Sequence, residues 1–127
     1  MDKQTNTLHW FEIPVYDLAR ARHFYQVAFG IHMDMQGQGE MNMALFPQDW
    51  AEGKVSGALV KSAWNIPSAN GTIIYLDADP SMEDILKRIA AEGAVIKVGK
   101  TLIADNMGYY ALFTDTEGNI VGLHSQQ

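Results

Sequence analysis

The first patterned stretch of the chain, residues 8–15, alternates large apolar side chains with other residues. Such a period of two predicts a β-strand whose two faces differ. One face would carry Phe11, Ile13 and Val15, and the other would carry Trp10, Glu12 and Pro14.

The period changes after Asp17, whose side chain is suited to capping the first turn of a helix. Residues 18–29 place apolar side chains at helical spacing, and Gly30 follows as a C-terminal stop. Short apolar segments at 31–36, 41–46 and 55–61, separated by glycine and polar turns, predict three further strands.

The second half of the chain repeats this order. Residues 72–77 predict a strand, and a helix follows that begins either at Asp79-Pro80 or at Ser81 and ends at Gly93. Strands are predicted at 94–98, 109–114 and 120–125. The pattern therefore predicts a single α+β domain over 1–127, built from two βαβββ modules at 8–61 and 71–125 with a linker at 62–70. Either half alone would expose a sheet face and two sheet edges, which favours their association.

Several short motifs resemble the vicinal oxygen chelate superfamily, which includes glyoxalase I, bleomycin resistance proteins and extradiol dioxygenases. They are the run WFEIPVYDL at 10–18, the pairs Phe24-Tyr25 and Phe29-Gly30, the run FTDTEGN at 113–119, and Leu123. The resemblance implies that the two modules form an incomplete barrel, a cup whose concave face binds small ligands. It also implies a homodimer, since proteins resembling this one commonly pair.

Composition narrows the classes of partner. The 127 residues are 47% hydrophobic, which indicates a folded globular domain, and the formal charge is -6. No segment has the density of Lys and Arg that nucleic acid or an anionic membrane requires. The lack of cysteine excludes disulfides, thiolate metal sites and a cysteine nucleophile, and no segment resembles a signal peptide or a membrane span. A cytoplasmic protein is expected.

Metal-dependent proteins resembling this chain carry a His or Glu ligand on each of four strands. Counting from the motifs places three of these positions on Trp10, on Gly71 or Thr72, and on Gly122. The fourth would lie in strand 55–61, which has no His, Asp or Glu. The prediction is that the inherited metal site is lost and that no cofactor is needed, with a displaced divalent metal as the alternative.

Strand parity identifies the residues expected to line the cup. Glu12 shares the face of Trp10, and His124 shares the face of Gly122. A carboxylate and an imidazole in one cavity could transfer protons, bind a ligand or a displaced metal, or simply orient the strands. Glu12 and His124 are therefore the catalytic candidates.

Other apolar residues complete the expected ligand-binding set of Trp10, Glu12, Met41, Met43, Tyr110 and His124. Met33, Met35, Met41 and Met43 are expected on one face of two adjacent strands, as a permissive pocket, as core or as a dimer contact. Tyr110 is expected to face the cup and Tyr109 the helix. Trp50 and Trp64, in loops, would cover a pocket, contact a second subunit or pack on their own domain.

The leading functional hypothesis is a metal-independent protein that binds a small apolar or aromatic molecule in the cup. The alternative is a glyoxalase- or dioxygenase-like lyase, isomerase or oxygenase that uses a displaced metal or the pair of Glu12 and His124. A protein-interaction module without a ligand is the third possibility.

Overall fold

A computed structural model of the protein describes residues 1–38 and 41–127, without the side chains of Gln38 and Met41. The first module contains β1 (Trp10–Pro14), α1 (Leu18–Phe29), β2 (Asp34–Gln38), β3 (Met41–Leu45) and β4 (Ser56–Lys61), with a 3-10 helix at Trp50–Glu52. The second contains β5 (Tyr75–Asp77), α2 (Met82–Ala91), β6 (Val95–Ala104), β7 (Gly108–Thr114) and β8 (Ile120–Ser125). The predicted α+β class and the repeated βαβββ order are confirmed.

The strands form two separate four-stranded sheets with the same topology. Their orders are β1-β4-β3-β2 and β5-β8-β7-β6. In each sheet the first strand of the module runs parallel to the last, and the other neighbours are antiparallel. The described strands therefore make two open sheets rather than a closed barrel, and β1 and β5 each lie at a sheet edge.

Helix α1 begins and ends where the sequence predicts. The Asp17 carboxylate accepts a hydrogen bond from the backbone N–H of Arg20 at 3.0 Å, and Gly30 adopts the left-handed conformation at the C-terminus. Its apolar stripe is buried, as the spacing requires, and consists of Leu18, Ala21, Phe24, Tyr25 and Ala28.

Helix α2 begins at the later of the two predicted starts. The Ser81 hydroxyl accepts from the N–H of Asp84, which makes Ser81 the N-cap. The alternative start at Asp79-Pro80 is wrong, because the Asp79 carboxylate instead accepts from the N–H of Gln126 beyond the end of β8.

Strand β6 is twice as long as the five residues that the pattern predicts. It spans ten residues and pairs with β7 through three shifts of register. Lys97, Gly99 and Lys100 interrupt its hydrophobic alternation. An edge strand tolerates this interruption because one of its sides has no neighbouring strand to match.

One hydrophobic core holds both modules together. Helices α1 and α2 contact each other, and a single cluster of buried residues includes both helices and one face of each sheet. Phe24 and Tyr25 of α1 also contact Phe113 of β7, with ring centroids 6.0 and 6.4 Å apart. Each sheet therefore has an inner face on this common core and an outer face turned away from it.

The turn between β7 and β8 fastens the second module to the first through a buried carboxylate. The Glu117 side chain has no exposed surface and accepts from the backbone N–H groups of Tyr16 and Asp17 at 2.9 and 2.8 Å. It also forms a bidentate ion pair with Arg20, at 2.8 and 3.0 Å. A carboxylate at this place accepts hydrogen bonds from N–H groups that have no partner within the helix. The positive end of the α1 dipole also stabilises its negative charge.

Two neighbours in the same turn add further bonds between the modules. The Tyr25 hydroxyl donates to the Asp115 carboxylate at 2.8 Å, and the Asn119 amide donates to the carbonyl oxygen of Pro14 at 2.8 Å. Burial, followed by the Asp115 charge, raises the pKa of Tyr25 well above its ordinary value. The hydroxyl therefore stays protonated and keeps donating.

These contacts make the stability of the fold depend on the charge of Glu117. Burial raises the pKa of this carboxyl, but the hydrogen bonds from Arg20, the N–H of Asp17, the Thr116 hydroxyl and the N–H of Tyr16 outweigh it and lower the pKa from 4.5 to about 2. The stabilisation is complete above pH 4.5 and is lost as the pH falls towards 2, because protonation removes the charge that the folded state favours.

We predict that Glu117→Gln lowers the free energy of unfolding at pH 7 by about 2 to 3 kcal/mol, since each pKa unit corresponds to about 1.4 kcal/mol and solvent near Arg20 screens part of the interaction. Urea unfolding between pH 7 and pH 3 measures this, and the variant should also lose part of the acid dependence. The matched control is Glu83→Gln, which breaks an ion pair with Lys100 at the surface and should have little effect. Equal losses in the two variants would contradict the assignment.

Candidate functional site

Two indole rings dominate the outer face of the first sheet. Trp10 on β1 and Trp50 in the 3-10 helix have ring centroids 5.8 Å apart and planes inclined by 31°. The Trp10 Nε1–H donates to the Glu12 carboxylate at 3.2 Å, which fixes the ring against its own strand. A cavity of about 470 Å³ adjoins the two rings and is also lined by His9 and Lys54. We call Trp10 and Trp50 the indole pair.

The indole pair adjoins a small apolar cluster on the same outer face. Leu45, Ala58 and Val60 are buried there, with Trp10 and Met43 packed against them. The register of the strands explains the grouping, because Met43 lies opposite Val60 and Leu45 opposite Ala58. Met41 is paired with Gln38 in the strand register, and its side chain lies outside the described residues.

Aromatic side chains also occupy the outer face of the second sheet. Tyr75, Ile103, Tyr110 and His124 line a cavity of about 370 Å³, which we call the tyrosine pocket. Tyr110 and His124 are direct partners across β7 and β8. Tyr109, the neighbour of Tyr110, packs on the common core instead, as strand alternation predicts.

The Tyr75 ring occupies space that is free because residue 122 is glycine. Gly122 lies opposite Tyr75 in the register of β5 and β8, and a Cβ atom on Gly122 would come within 2.4 Å of the Tyr75 ring. Real side chains do not approach so closely, so the ring can lie over the strand only because residue 122 is glycine.

The His124 imidazole is held by the tip of the hairpin formed by β6 and β7. Its Nε2 lies 2.8 Å from the carbonyl oxygen of Met107. A carbonyl oxygen can only accept, so Nε2 carries the hydrogen of this bond. Asp77 is the strand partner of His124 on its other side.

Glu12 and His124 are not brought together within one chain. Glu12 is exposed beside Trp10 and lines a cavity of about 470 Å³ near Pro14 and Asn119, whereas His124 lines the tyrosine pocket on the other sheet. Their proposed cooperation therefore stays a prediction, and it requires a second chain.

The expectation that four methionines share one face is wrong. Met33 is fully buried in the common core, and Met35 pairs with Ala44, which belongs to the inner face. Met43 lies on the outer face instead. The spacing of two residues within a segment places both of its methionines on the same face. Only the register between the strands determines whether the two pairs share that face.

The four positions expected for metal ligands carry other side chains. Trp10 lies in β1 and Gly122 in β8, whereas Gly71 and Thr72 precede β5, which begins at Tyr75. Across residues 1–38 and 41–127, no three His, Asp or Glu side chains are grouped so that they could hold a metal ion. The lack of a metal requirement stays a prediction.

The sequence does not single out two of the residues that shape these cavities. Tyr75 lies within the predicted strand 72–77, but its pairing with Gly122 depends on the strand register, and Ile103 lies beyond the predicted end of β6. Trp50 is expected in a loop, but its contact with Trp10 depends on how the loop folds back. Trp64, the other loop tryptophan, is 66% exposed.

Comparison with known proteins identifies the fold. Residues 7–47, which are 41 of the 127, match the family model described as bleomycin resistance protein-like N-terminal. This chain matches no curated protein. None of the described helices is long and apolar enough to cross a membrane.

Several solved structures are similar over nearly their whole length. A glyoxylase/bleomycin resistance protein/dioxygenase domain from Frankia sp. EAN1pec has a TM-score of 0.70 at 13% identity, covering 97% of this chain and 93% of that one. The fosfomycin resistance protein FosX from Listeria monocytogenes has a TM-score of 0.66 at 16% identity, with coverage of 97% and 92%. TnmS3, an antibiotic binding protein from Streptomyces sp. CB03234, has a TM-score of 0.59 at 18% identity, with coverage of 99% and 100%.

The fold that the resemblance implies is thereby confirmed: the chain has the glyoxalase/bleomycin resistance-like fold. At these identities the solved structures show the fold and not the activity, because one fold hosts many chemistries.

The indole pair has a spectroscopic consequence. Two indoles at this separation and inclination should couple as excitons, which gives a bisignate band in the circular dichroism spectrum of the folded protein. Trp10→Phe and Trp50→Phe should each abolish the band. Trp64→Phe is the matched control and should leave it intact, since Trp64 is exposed and has no aromatic neighbour among the described residues. A band that survives Trp50→Phe would contradict the contact.

Proposed function

We propose that this chain, which has the glyoxalase/bleomycin resistance-like fold, binds a small apolar or aromatic molecule on the outer faces of its two sheets. One observation carries the proposal. These faces present aromatic rings, namely Trp10 beside Trp50 on the first sheet and Tyr75 over Gly122 on the second.

Ring faces suit such a ligand for a physical reason. Aromatic side chains bury large areas at a small cost in conformational entropy, and they prefer offset-stacked or edge-to-face partners. Met43, beside Trp10, adds a flexible apolar side chain that adapts to different ligand shapes. Among the proteins of similar structure, the description of TnmS3 as an antibiotic binding protein supports this class of function.

We also propose a homodimer as the binding form. The two outer faces belong to different sheets on either side of a common core, so one chain cannot close them around a single ligand. A second copy related by a two-fold axis can place the first sheet of one protomer opposite the second sheet of the other. Edges β1 and β5 also become available for contacts between the copies.

Such a dimer would place Glu12 of one protomer in the same cavity as His124 of the other. This arrangement supports the alternative function, a glyoxalase- or dioxygenase-like lyase, isomerase or oxygenase. In that case the two groups transfer a proton or contribute ligands to a displaced divalent metal. The similarity of FosX in structure favours keeping this alternative. A cytoplasmic location stays a prediction from composition.

Thermal-shift measurement on protein purified without chelator distinguishes binding from metal-dependent catalysis. With 2-naphthol as the probe, we expect a rise in Tm that EDTA does not abolish. Trp10→Ala should weaken binding about tenfold, since loss of an aromatic contact costs on the order of 1 kcal/mol or more.

Trp64→Ala is the matched control for that experiment and should bind 2-naphthol as the parent protein does. Stoichiometric Mn²⁺, Ni²⁺ or Zn²⁺ in the purified protein, together with loss of binding in EDTA, would overturn the metal-independent function and favour the enzyme.

Light scattering over a concentration series tests the dimer. We expect a mass twice the chain mass of 14.1 kDa. The mass should stay at that value upon dilution to the concentration used for ligand binding. A mass of one chain throughout would refute the dimer and the shared cavity, but it would leave binding to the separate faces possible.

A further inference from the structure

We infer that the tyrosine pocket recognises an aromatic ligand that carries a hydrogen-bond donor, such as a phenolic hydroxyl, and that Nδ1 of His124 accepts this hydrogen bond. The inference rests on the proposed function and specifies the class of ligand that the second sheet selects.

The tautomer of His124 follows from its contact with the hairpin. The carbonyl oxygen of Met107, 2.8 Å from Nε2, has no proton to give, so Nε2 must donate. A neutral imidazole that donates through Nε2 has an unprotonated Nδ1, and this nitrogen can only accept. The hairpin tip therefore fixes which kind of group the ring can bind.

Nδ1 is accessible to a ligand. It makes no hydrogen bond with any side chain or backbone group in residues 1–38 and 41–127. In the same part of the chain, no buried side-chain nitrogen or oxygen lacks a partner. An unpartnered Nδ1 must therefore be open to solvent, and His124 lines the tyrosine pocket.

The remaining lining of the pocket suits an aromatic ring. Tyr75 and Tyr110 supply ring faces, and Ile103 supplies an aliphatic wall. The tyrosine hydroxyls can donate or accept, so they distinguish little between ligands that carry a donor and ligands that carry an acceptor. Nδ1 can only accept, so it favours ligands that carry a donor. A ligand without a donor would leave Nδ1 facing an apolar ring, and that lost hydration has a cost in binding free energy.

A matched pair of probes tests the inference. By calorimetry at pH 8, 2-naphthol should bind at least tenfold more tightly than 2-methoxynaphthalene, which has the same rings and no donor. His124→Phe should bind both compounds with equal affinity. His124→Asn, whose carbonyl oxygen can take the place of Nδ1, should retain the preference.

His23→Phe is the control, because His23 is exposed on α1 and lies away from the pocket. It should keep the full preference for 2-naphthol. A readout that needs no variant is the ¹⁵N resonance of His124 Nδ1, which should shift when 2-naphthol is added and not when 2-methoxynaphthalene is added.

The outcomes separate the two proposals. Equal affinity of the parent protein for both probes would overturn the inference and leave the proposed binding function standing. A preference that persists in His124→Phe would overturn it as well, because the acceptor would then be another group. Failure of both probes to bind would overturn the proposed function and this inference together.

Discussion

The arrangement of the whole molecule depends on the buried carboxylate of Glu117. It belongs to the second module, yet it completes the N-terminus of the helix of the first, where free N–H groups and the helix dipole attract a negative charge. Desolvation of a charge is costly unless every lone pair finds a partner. Arg20, the two backbone N–H groups and the Thr116 hydroxyl provide these partners. The bonds join the second module to the N-terminus of α1.

This junction determines which face of each sheet packs in the core. With both helices inside one core, the inner faces are largely covered by packing, and the outer faces are turned away from the core. The outer faces then differ in character between the modules. The first presents indoles over a small apolar cluster, and the second presents tyrosines, an aliphatic side chain and an imidazole. A ligand between two such faces would meet rings from both sides and a directional polar group from one.

Aromatic side chains and a divalent metal ion supply different chemistry to a binding site. A divalent ion polarises oxygen atoms and activates water. Tryptophan and tyrosine rings bind through contact area and ring geometry, and glycine at position 122 gives one of these rings its place.

Much of this architecture was determined by the sequence alone. The two alternating periods, the cap at Asp17 and the stop at Gly30 act over a few residues, so the elements of the first module and the repeated order could be predicted from local patterns. Strand parity placed Tyr110 on the outer face and Tyr109 on the inner face for the same reason.

Only the tertiary structure decided the relations between distant segments. The faces of the methionines, the position of Tyr75 opposite Gly122 and the separation of Glu12 from His124 depend on strand register and on the packing of the modules. No periodicity within a single strand specifies these relations. The full length of β6 could not be predicted from the sequence, because an edge strand can pair with its neighbour without a regular hydrophobic alternation. Local physics therefore fixed which residues each strand presents, and strand register and the packing of the two modules fixed which of those residues lie together.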